Sequence, residues 1–330
     1  MKLAVAEARA LAQAAMKAIG FEAEEALATA DHLVDAGLRG VTFGSLARVL
    51  AIAERLDAVG GSRRPLAVQH ETSVSALLDG GDHVGYFVAR EATALAIQKA
   101  QQQGLALVGA NNTYYTGLFS YYMEMATREG LVAMAAGNGP AIVAPEGAAE
   151  ARLGTNPIAF GFPADPDPVI WDIGTCAIMH GELLLHRRTG TELPEGVALD
   201  RDGRPTRNPV AALDGAIRAW GGHKGSGLAV AVQFLGALCG GPVIASGMSE
   251  MAYLVLVIDP KILLPAGGFA ASAAELAERL RSARPLDPSR PVRMPFERSA
   301  AERRRRLAEG AIEVPDPVHK ALRALAEGRR

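Results

Sequence analysis

The sequence has few cysteines, few aromatic residues and almost no net charge. Cys176 and Cys239 are the only cysteines among 330 residues, which excludes a disulfide framework and a cysteine zinc site and favours a reducing cytoplasm. Aromatic residues make up 5% and the formal net charge is -2. The chain therefore lacks the stacking platforms and the basic surface that nucleic acids or anionic membranes require. We expect neither as a partner.

Several common motifs are also missing. No G-x-G-x-x-G follows a strand pattern, and there is no G-x-x-x-x-G-K-[ST], H-E-x-x-H or G-x-S-x-G. The seven histidines form no pair at ligand spacing, so we expect no metal site. No apolar run reaches the roughly 18 residues of a membrane span. The first residues are Ala-rich with early acids, so we expect no signal peptide.

What is present is an alternation of helices and strands between helical ends, which predicts a mixed α/β fold. Predicted helices cover residues 4–19, 22–36, a third from 42 or 45 to 59, and then 86–103, 118–128, 220–238, 271–281 and 299–309, with a last one from 316. Predicted strands cover residues 67–71, 74–79, 106–109, 132–136, 158–162, 169–171, 183–188 and 253–258.

The stretch from Leu153 to Thr175 carries the strongest local pattern. A Gly-Thr-Asn-Pro turn is followed by two short apolar runs, which a Pro/Asp loop separates, and the second run leads to Asp172. This predicts two adjacent strands with polar side chains at their ends, where sites are often built. A plain hairpin with a solvated Asp172 is the alternative.

Two cationic residues are candidates for binding an anion. The predicted third helix has a core stripe, and Arg48 lies four residues after Gly44 on another face. Lys224 belongs to Gly-Gly-His-Lys-Gly-Ser-Gly at a predicted helix start, where free N–H groups and a lysine can bind phosphate or carboxylate. The alternative in both cases is an exposed surface cation.

The order and spacing of several motifs resemble the type-2 malate/L-lactate dehydrogenase family, which includes ureidoglycolate and sulfolactate dehydrogenases, diketogulonate reductase and piperideine/pyrroline-carboxylate reductase. The resemblance covers about residues 7–325. It rests on LGTNPIAFGFPA from Leu153, GGHKGSG from Gly221, ALLDG from Ala76, YYMEMATREG from Tyr121, the EGVALD loop from Glu195 and PFER from Pro295.

The resemblance implies a dinucleotide-binding fold of non-Rossmann type with a mixed sheet, and a helical domain made from both chain ends. It implies NADPH or NADH as the cofactor, a small carboxylate substrate and a homodimer. The expected segments are an N-terminal helical region (1–66), a connecting α/β region (67–120), a central cofactor-binding domain (121–268) and C-terminal helices that pack on the N-terminal region (269–330).

The resemblance also implies the site residues. The cofactor contacts would be Asn138, Gly139, Pro140, Asp172, Ile173, Gly174, Thr175, His223, Lys224, Phe296, Glu297 and Arg298. The substrate contacts would be Arg48, which would pair with a carboxylate, together with Ser45, Asn112, Thr155 and Asn156. The candidates for catalysis are Tyr115, Arg48 and Asp172.

The chain departs from the family pattern at the proton-handling positions. Gly44 occupies the position of a Ser-His-Gly histidine that donates a proton, and Tyr115 that of a second histidine. Glu182 replaces a lysine, and Phe296 replaces the glycine of P-G-E-R. A positioned acid usually contributes about 10²–10⁴-fold to ketone reduction.

Three interpretations remain open. The protein reduces an imino acid, whose nitrogen can carry its own proton. It reduces a 2-oxo acid with Tyr115 as the acid. Or it is a repurposed or non-catalytic relative. Neither the substrate nor the preference between NADH and NADPH follows from the sequence.

Overall fold

The computed structural model describes residues 1–329, and their helices and strands alternate as the sequence predicts. The helices are α1 Val5–Ala18, α2 Ala23–Leu38, α3 Ala47–Val59, α4 Gly85–Gln103, α5 Phe119–Arg128, α6 His180–Thr189, α7 Pro209–Leu213, α8 His223–Ala237, α9 Gly268–Arg281, α10 Glu297–Glu309 and α11 Asp316–Ala326. The strands are β1 Lys2–Ala4, β2 Ala67–Glu71, β3 Ser75–Asp79, β4 Leu105–Thr113, β5 Val132–Gly137, β6 Val143–Ala144, β7 Ile158–Phe162, β8 Val169–Ile173, β9 Ala198–Leu199, β10 Ala216–Arg218, β11 Met251–Ile258 and β12 Ala311–Glu313.

A seven-stranded mixed sheet forms the centre, in the order β2-β3-β4-β11-β5-β7-β8. Only β3 and β4 run parallel within it, and the other neighbours are antiparallel. The helices α4 and α5 pack their buried alanines and aromatics on this sheet. The predicted hairpin is confirmed, since Ile158 pairs with Ile173 and Phe162 with Val169.

Both ends of the chain contribute to one helical core. β1 pairs with β12, α1 packs against α11, and their apolar residues share a cluster with α2 and α3. The amphipathic patterns of the end helices cause this, because each has one apolar stripe that only another helix can cover. The mixed α/β fold with helices at both ends is confirmed, while the four domain boundaries stay predictions. Among residues 1–329, no helix combines the length and hydropathy that crossing a bilayer would need.

Four local predictions are wrong. Residues 183–188 form part of α6 rather than a strand, because a three-residue leucine run has no decisive period. α2 extends through Gly37 to Leu38, past its predicted end at residue 36, and the missing Cβ of Gly37 makes room for Ser45 Oγ, 2.7 Å from where that atom would be. The spacing of Leu27, Ala30 and Val34 predicts one buried face of α2, but 42% of the Leu27 surface is exposed. β4 extends past its predicted end at residue 109, through Asn111 and Asn112 to Thr113.

Candidate active site

A cavity of about 120 Å³ lies between the helical region and the loops at the ends of the central strands. Its polar side chains include Arg48, Tyr86, Tyr115, Asn138 and His180. The remainder is backbone, two threonines and apolar side chains, namely Phe43, Leu118, Pro140, Ile142, Pro157, Met179, Met248 and Met251. An apolar pocket with a few convergent polar groups is the usual form of a small-molecule site.

Arg48 lies in the first turn of α3 and is buried against two tyrosines, so its interpretation as a solvated surface arginine is wrong. Its guanidinium carbon is 4.1 Å from the centroid of the Tyr115 ring. Burial acts to lower the pKa of Arg48, but Tyr86 and Tyr115 outweigh it and raise that pKa. Arg48 is therefore a buried cation at the wall of the cavity.

One nitrogen of this cation is unsatisfied. Nη1 of Arg48 is buried without a hydrogen-bond partner, and Arg48 forms no ion pair within residues 1–329. A Cβ on Gly181 would lie 3.2 Å from this nitrogen, so the first turn of α6 approaches it closely. A buried, unpaired guanidinium is costly unless a carboxylate or phosphate completes it.

Tyr115 adopts a backbone conformation that non-glycine residues rarely take, with φ at 54°. Such strain concentrates at functional sites and costs on the order of 1–3 kcal/mol. Its ring contacts the Arg48 guanidinium and packs in a T-shaped arrangement with the Tyr114 ring, whose centroid is 5.5 Å away. Tyr115 thus lines the cavity beside the cation, and its role in catalysis stays a prediction.

His180 is a cavity residue that the sequence reasoning missed. It is the first residue of α6, and burial together with the positive charges of Arg48, Arg187 and Arg188 lowers its pKa to about 3. At neutral pH its ring is therefore uncharged. The available signal was its position directly before Gly181 and Glu182, where the family pattern already changes.

Several predicted cofactor residues come together at one edge of the cavity. The Asn138-Gly139-Pro140 turn lines it and contacts the Gly154-Thr155 turn, since a Cβ on Gly154 would lie 2.8 Å from the Gly139 nitrogen. Thr175 donates its N–H to the Thr155 carbonyl at 3.0 Å and accepts from Trp220 N–H at 2.9 Å. These bonds connect three loops from distant parts of the sequence.

The same network leads to the start of α8. Gly221 and Gly222, with φ at 59° and 62°, turn the chain into the helix, where His223 and Lys224 are exposed. Lys224 forms no ion pair within residues 1–329. A helix N-terminus with a free lysine is a favourable place for a phosphate group.

Three predicted substrate residues lie outside the cavity in internal hydrogen bonds. Ser45 Oγ donates to the Leu33 carbonyl at 2.8 Å, and Asn112 Nδ2 donates to Asp79 at 2.9 Å. Asn156 Nδ2 donates to the Ala229 carbonyl and to Gln233, both at 2.8 Å, which fixes the turn before β7 on α8. Thr155 lines the cavity.

Asp172 caps a helix instead of lining the cavity. Its Oδ2 accepts the Ser120 N–H at 2.7 Å, in the first turn of α5, where a carboxylate complements the helix dipole. Burial raises its pKa to about 6, against the opposing effect of the Ser120 hydrogen bonds. The alternative of a solvated turn residue is therefore wrong. Ile173 and Gly174 follow it at the end of the strand, outside the cavity lining.

Phe296, Glu297 and Arg298 lie at the start of α10, away from the cavity lining. Phe296 has φ at 77°, a conformation that glycine adopts without strain. The Arg39 guanidinium carbon lies 4.7 Å from its ring centroid. Glu297 binds Arg281 and the Met294 N–H.

The chain belongs to the malate/L-lactate dehydrogenase family, whose model matches residues 3–323. It is 35% identical to a Delta(1)-pyrroline-2-carboxylate/Delta(1)-piperideine-2-carboxylate reductase of Pseudomonas aeruginosa, covering 70% of this chain and 71% of that one. It is 32% identical to a (2R)-3-sulfolactate dehydrogenase (NADP(+)) of Chromohalobacter salexigens, covering 99% and 98%. A crystal structure of a dehydrogenase from Sinorhizobium meliloti superimposes with a TM-score of 0.90 at 33% identity, covering 99% and 98%.

The prediction that the chain belongs to this family is therefore confirmed. The prediction of an NAD(P)-dependent oxidoreductase is confirmed at the level of the family. The roles of individual residues, including the loss of the family histidines at Gly44 and Tyr115, stay predictions.

Proposed function

We propose that the chain is an NAD(P)H-dependent reductase of a small monocarboxylate, a cyclic imino acid, and that it works by hydride transfer without a histidine acid. The observation that carries the proposal is the buried Arg48, which lines a cavity that is otherwise mostly apolar and has an Nη1 without a partner. A substrate carboxylate would satisfy the arginine, and an apolar ring would fill the rest.

The charge of the cavity supports a monoanionic substrate. Arg48 is the one residue of the cavity lining that is charged at neutral pH, because the low pKa of His180 keeps that ring neutral. A substrate with a second anionic group would place it among methionines, a leucine and a phenylalanine, where a charge is poorly solvated. The Pseudomonas aeruginosa relative is named for monocarboxylate imines.

The chemistry supports an imine over a ketone. A reduced ketone oxygen needs a proton from a positioned acid, and Gly44 has no side chain to supply one. A protonated imine nitrogen already carries its proton, so hydride addition alone completes the reduction. Arg48 would orient the substrate, and the apolar wall would exclude water.

The residues near the cavity fit a nicotinamide cofactor. Asn138 has a buried Nδ2 donor without a partner at the cavity edge. No atom lies within 4 Å of a Cβ built on Gly139, Gly221 or Gly227, so the backbone there is open to a ligand. Asn138, Gly139 and Pro140 would hold the nicotinamide side and His223 and Lys224 the phosphates. Such a cofactor supplies the hydride, in either the NADH or the NADPH form.

The reduction of a 2-oxo acid with Tyr115 as the acid is the second candidate. The observation that favours it is the position of Tyr115 in the cavity, in contact with Arg48. Gly44→His tests this candidate, because the three atoms nearest to a Cβ at Gly44 all belong to side chains, the closest being Val41 Cγ1 at 3.3 Å. Under this candidate the added histidine raises 2-oxo-acid reduction.

A reductase screen tests the proposal. The purified protein is mixed with NADH or NADPH and with cyclic imino acids or 2-oxo acids, and cofactor absorbance is followed. We expect turnover with cyclic imino acids. Turnover with 2-oxo acids alone would replace the proposal with the second candidate. No turnover together with no quenching of NAD(P)H fluorescence at millimolar cofactor would favour a non-catalytic relative.

We also propose that the chain forms a homodimer. One face of α8 supports this, since Val230, Phe234 and Leu238 follow one another at four-residue spacing and are 42%, 70% and 65% exposed. Light scattering at micromolar concentration should give the dimer mass, and Phe234→Glu should lower it. A monomeric wild-type protein would contradict the proposal.

A reducing, cytoplasmic compartment is proposed on the two cysteines. Both are free and buried, and burial raises the pKa of each thiol to about 12, so neither is a reactive thiolate. Fractionation of the cells that make the protein tests this, and recovery outside the cytoplasm would contradict it.

A further inference from the structure

The cavity contains one polar side chain whose hydrogen-bonding capacity is unused and which the arguments above leave without a role. His180 lines the cavity, and neither of its ring nitrogens takes part in a hydrogen bond within residues 1–329. Arg48, Tyr86 and Tyr115 act mainly on one another. Asn138 already accepts the Ala252 N–H at 2.9 Å with its oxygen. His180 is therefore the side chain most available to a ligand.

The backbone holds His180 opposite the substrate arginine. His180 begins α6, and α6 packs on the 3-10 turn Thr42–Gly44, which carries the vacant histidine position. The next residue, Gly181, would bring a Cβ within 3.2 Å of Arg48 Nη1 and 3.3 Å of the Phe43 carbonyl. The His180 ring and the Arg48 guanidinium therefore line the same small cavity from two elements, α6 and α3.

We propose that His180 binds the substrate directly, by accepting a hydrogen bond from the protonated imine nitrogen while Arg48 holds the carboxylate. A neutral imidazole has one acceptor nitrogen, and acceptance from a charged N–H gives a strong, directional bond. The proposal rests on the reductase function proposed above. It assigns the contact that orients the carbon–nitrogen double bond for hydride addition.

The contact also keeps the proton on the substrate. The imidazole is a very weak base in this site, because burial, and after it the charges of Arg48, Arg187 and Arg188, disfavour its cationic form. It therefore accepts the hydrogen bond without removing the proton. Hydride then adds to the imine carbon, the π pair becomes the nitrogen lone pair, and a neutral secondary amine forms. No charge is left on the protein.

The one carboxylate in the first turn of α6, Glu182, is not among the groups that shift the pKa of His180. Arg187 and Arg188 are paired with Glu54 of α3. The 3-10 turn and α7, which both pack on α6, carry no ionisable side chain. The apolar Val318 and Ala321 of α11 share a groove with Arg188, at the far end of α6.

The experiment measures kcat and kcat/KM against pH for reduction of Δ1-piperideine-2-carboxylate, because the alkaline limb of kcat reports the proton on the bound imine, whereas that of kcat/KM reports the proton on the free imine. For the wild-type protein kcat falls at high pH, as the bound imine loses its proton. In His180→Phe the acceptor is lost, so we expect kcat/KM at low pH to fall about tenfold. We expect the alkaline limb of kcat to move down by about one pH unit, because a tenfold loss of proton affinity is one pKa unit. His180→Gln keeps an acceptor and should restore the limb to within a few tenths of a unit.

His186→Gln is the matched control, since His186 lies on the same helix and its ring binds Thr191 instead of facing the cavity. An unmoved alkaline limb of kcat in His180→Phe overturns the inference, even if kcat itself falls, because a structural role would lower activity at every pH alike. If His180→Phe does not fold, His180→Ala is read in the same way. A wild-type protein inactive on cyclic imino acids contradicts the proposed function itself, which separates the two failures.

Discussion

The guanidinium group of Arg48 stacks on the ring of Tyr115, 4.1 Å from its centroid, and retains a buried nitrogen without a partner. Two turns further along α3, Arg55 stacks on the preceding tyrosine, Tyr114, at 3.6 Å. Arg55 is paired with Asp82 at 2.5 Å and also bonds Ser249 and the Met248 carbonyl. The two arginines are alike in packing, and each has a buried Nη1 without a partner, but only Arg55 has a carboxylate partner within residues 1–329. This difference fits a structural role for Arg55 and the proposed substrate-binding role for Arg48.

Arg48→Met should abolish reductase activity without lowering stability. Methionine replaces most of the volume and removes a buried, unpaired charge, so we expect the free energy of unfolding to stay equal or to rise by about 1 kcal/mol. Steady-state kinetics and urea unfolding measure the two effects. Arg55→Met is the control, and it should destabilise the protein. A large loss of stability in Arg48→Met would make Arg48 structural.

Tyr115→Phe distinguishes the two candidate reactions. The ring stays on Arg48 and only the hydroxyl is lost. If the substrate is a cyclic imino acid, kcat should change by less than about threefold, because no protein acid is needed. A loss of about tenfold or more, within the usual contribution of a general acid, would instead identify Tyr115 as the proton donor.

Lys224→Ala should weaken dinucleotide binding and leave the fold intact. The lysine is exposed at the glycine-rich start of α8 and has no ion-pair partner within residues 1–329. Loss of one charge-assisted phosphate contact costs about 1.5–3 kcal/mol. Titration of NAD(P)H fluorescence measures the dissociation constant, and circular dichroism checks the fold. An unchanged constant would remove Lys224 from the cofactor site.

Asp172→Asn should change how stability depends on pH. The folded pKa of about 6 lies above the ordinary 3.8, so the folded state binds this proton more tightly than the unfolded chain. The resulting stabilisation is fully present below pH 3.8 and is lost as the pH rises through about 6. The difference in unfolding free energy between wild type and variant should fall by on the order of 2 kcal/mol from pH 4 to pH 7. A difference independent of pH would contradict this.

Local patterns in the sequence were enough for most of the fold, because amphipathic helices and short apolar runs report their own burial. The β7–β8 hairpin and α8 are examples. The local patterns failed at residues 183–188, because a run of three leucines fits either a helix or a strand. The basic residues of the last turn and Gly190, which follows it, are instead typical of a helix end.

The site was less predictable for a tertiary reason. Arg48 and Thr155 reach the cavity, but Ser45 and Asn156 are used in internal hydrogen bonds that no spacing rule reveals. His180 reaches the cavity only because α6 packs on the turn that carries Gly44, a contact between residues far apart in the chain.

The central claim is that one buried arginine in an apolar cavity selects a monoanionic imine. The ratio of kcat/KM for Δ1-piperideine-2-carboxylate to that for oxaloacetate, measured on one preparation with saturating NADPH or NADH, tests it most directly. We expect a ratio of at least about 10², since the dianion must place a second charge in the apolar wall and the ketone lacks a proton donor. A ratio of one or less would contradict the account.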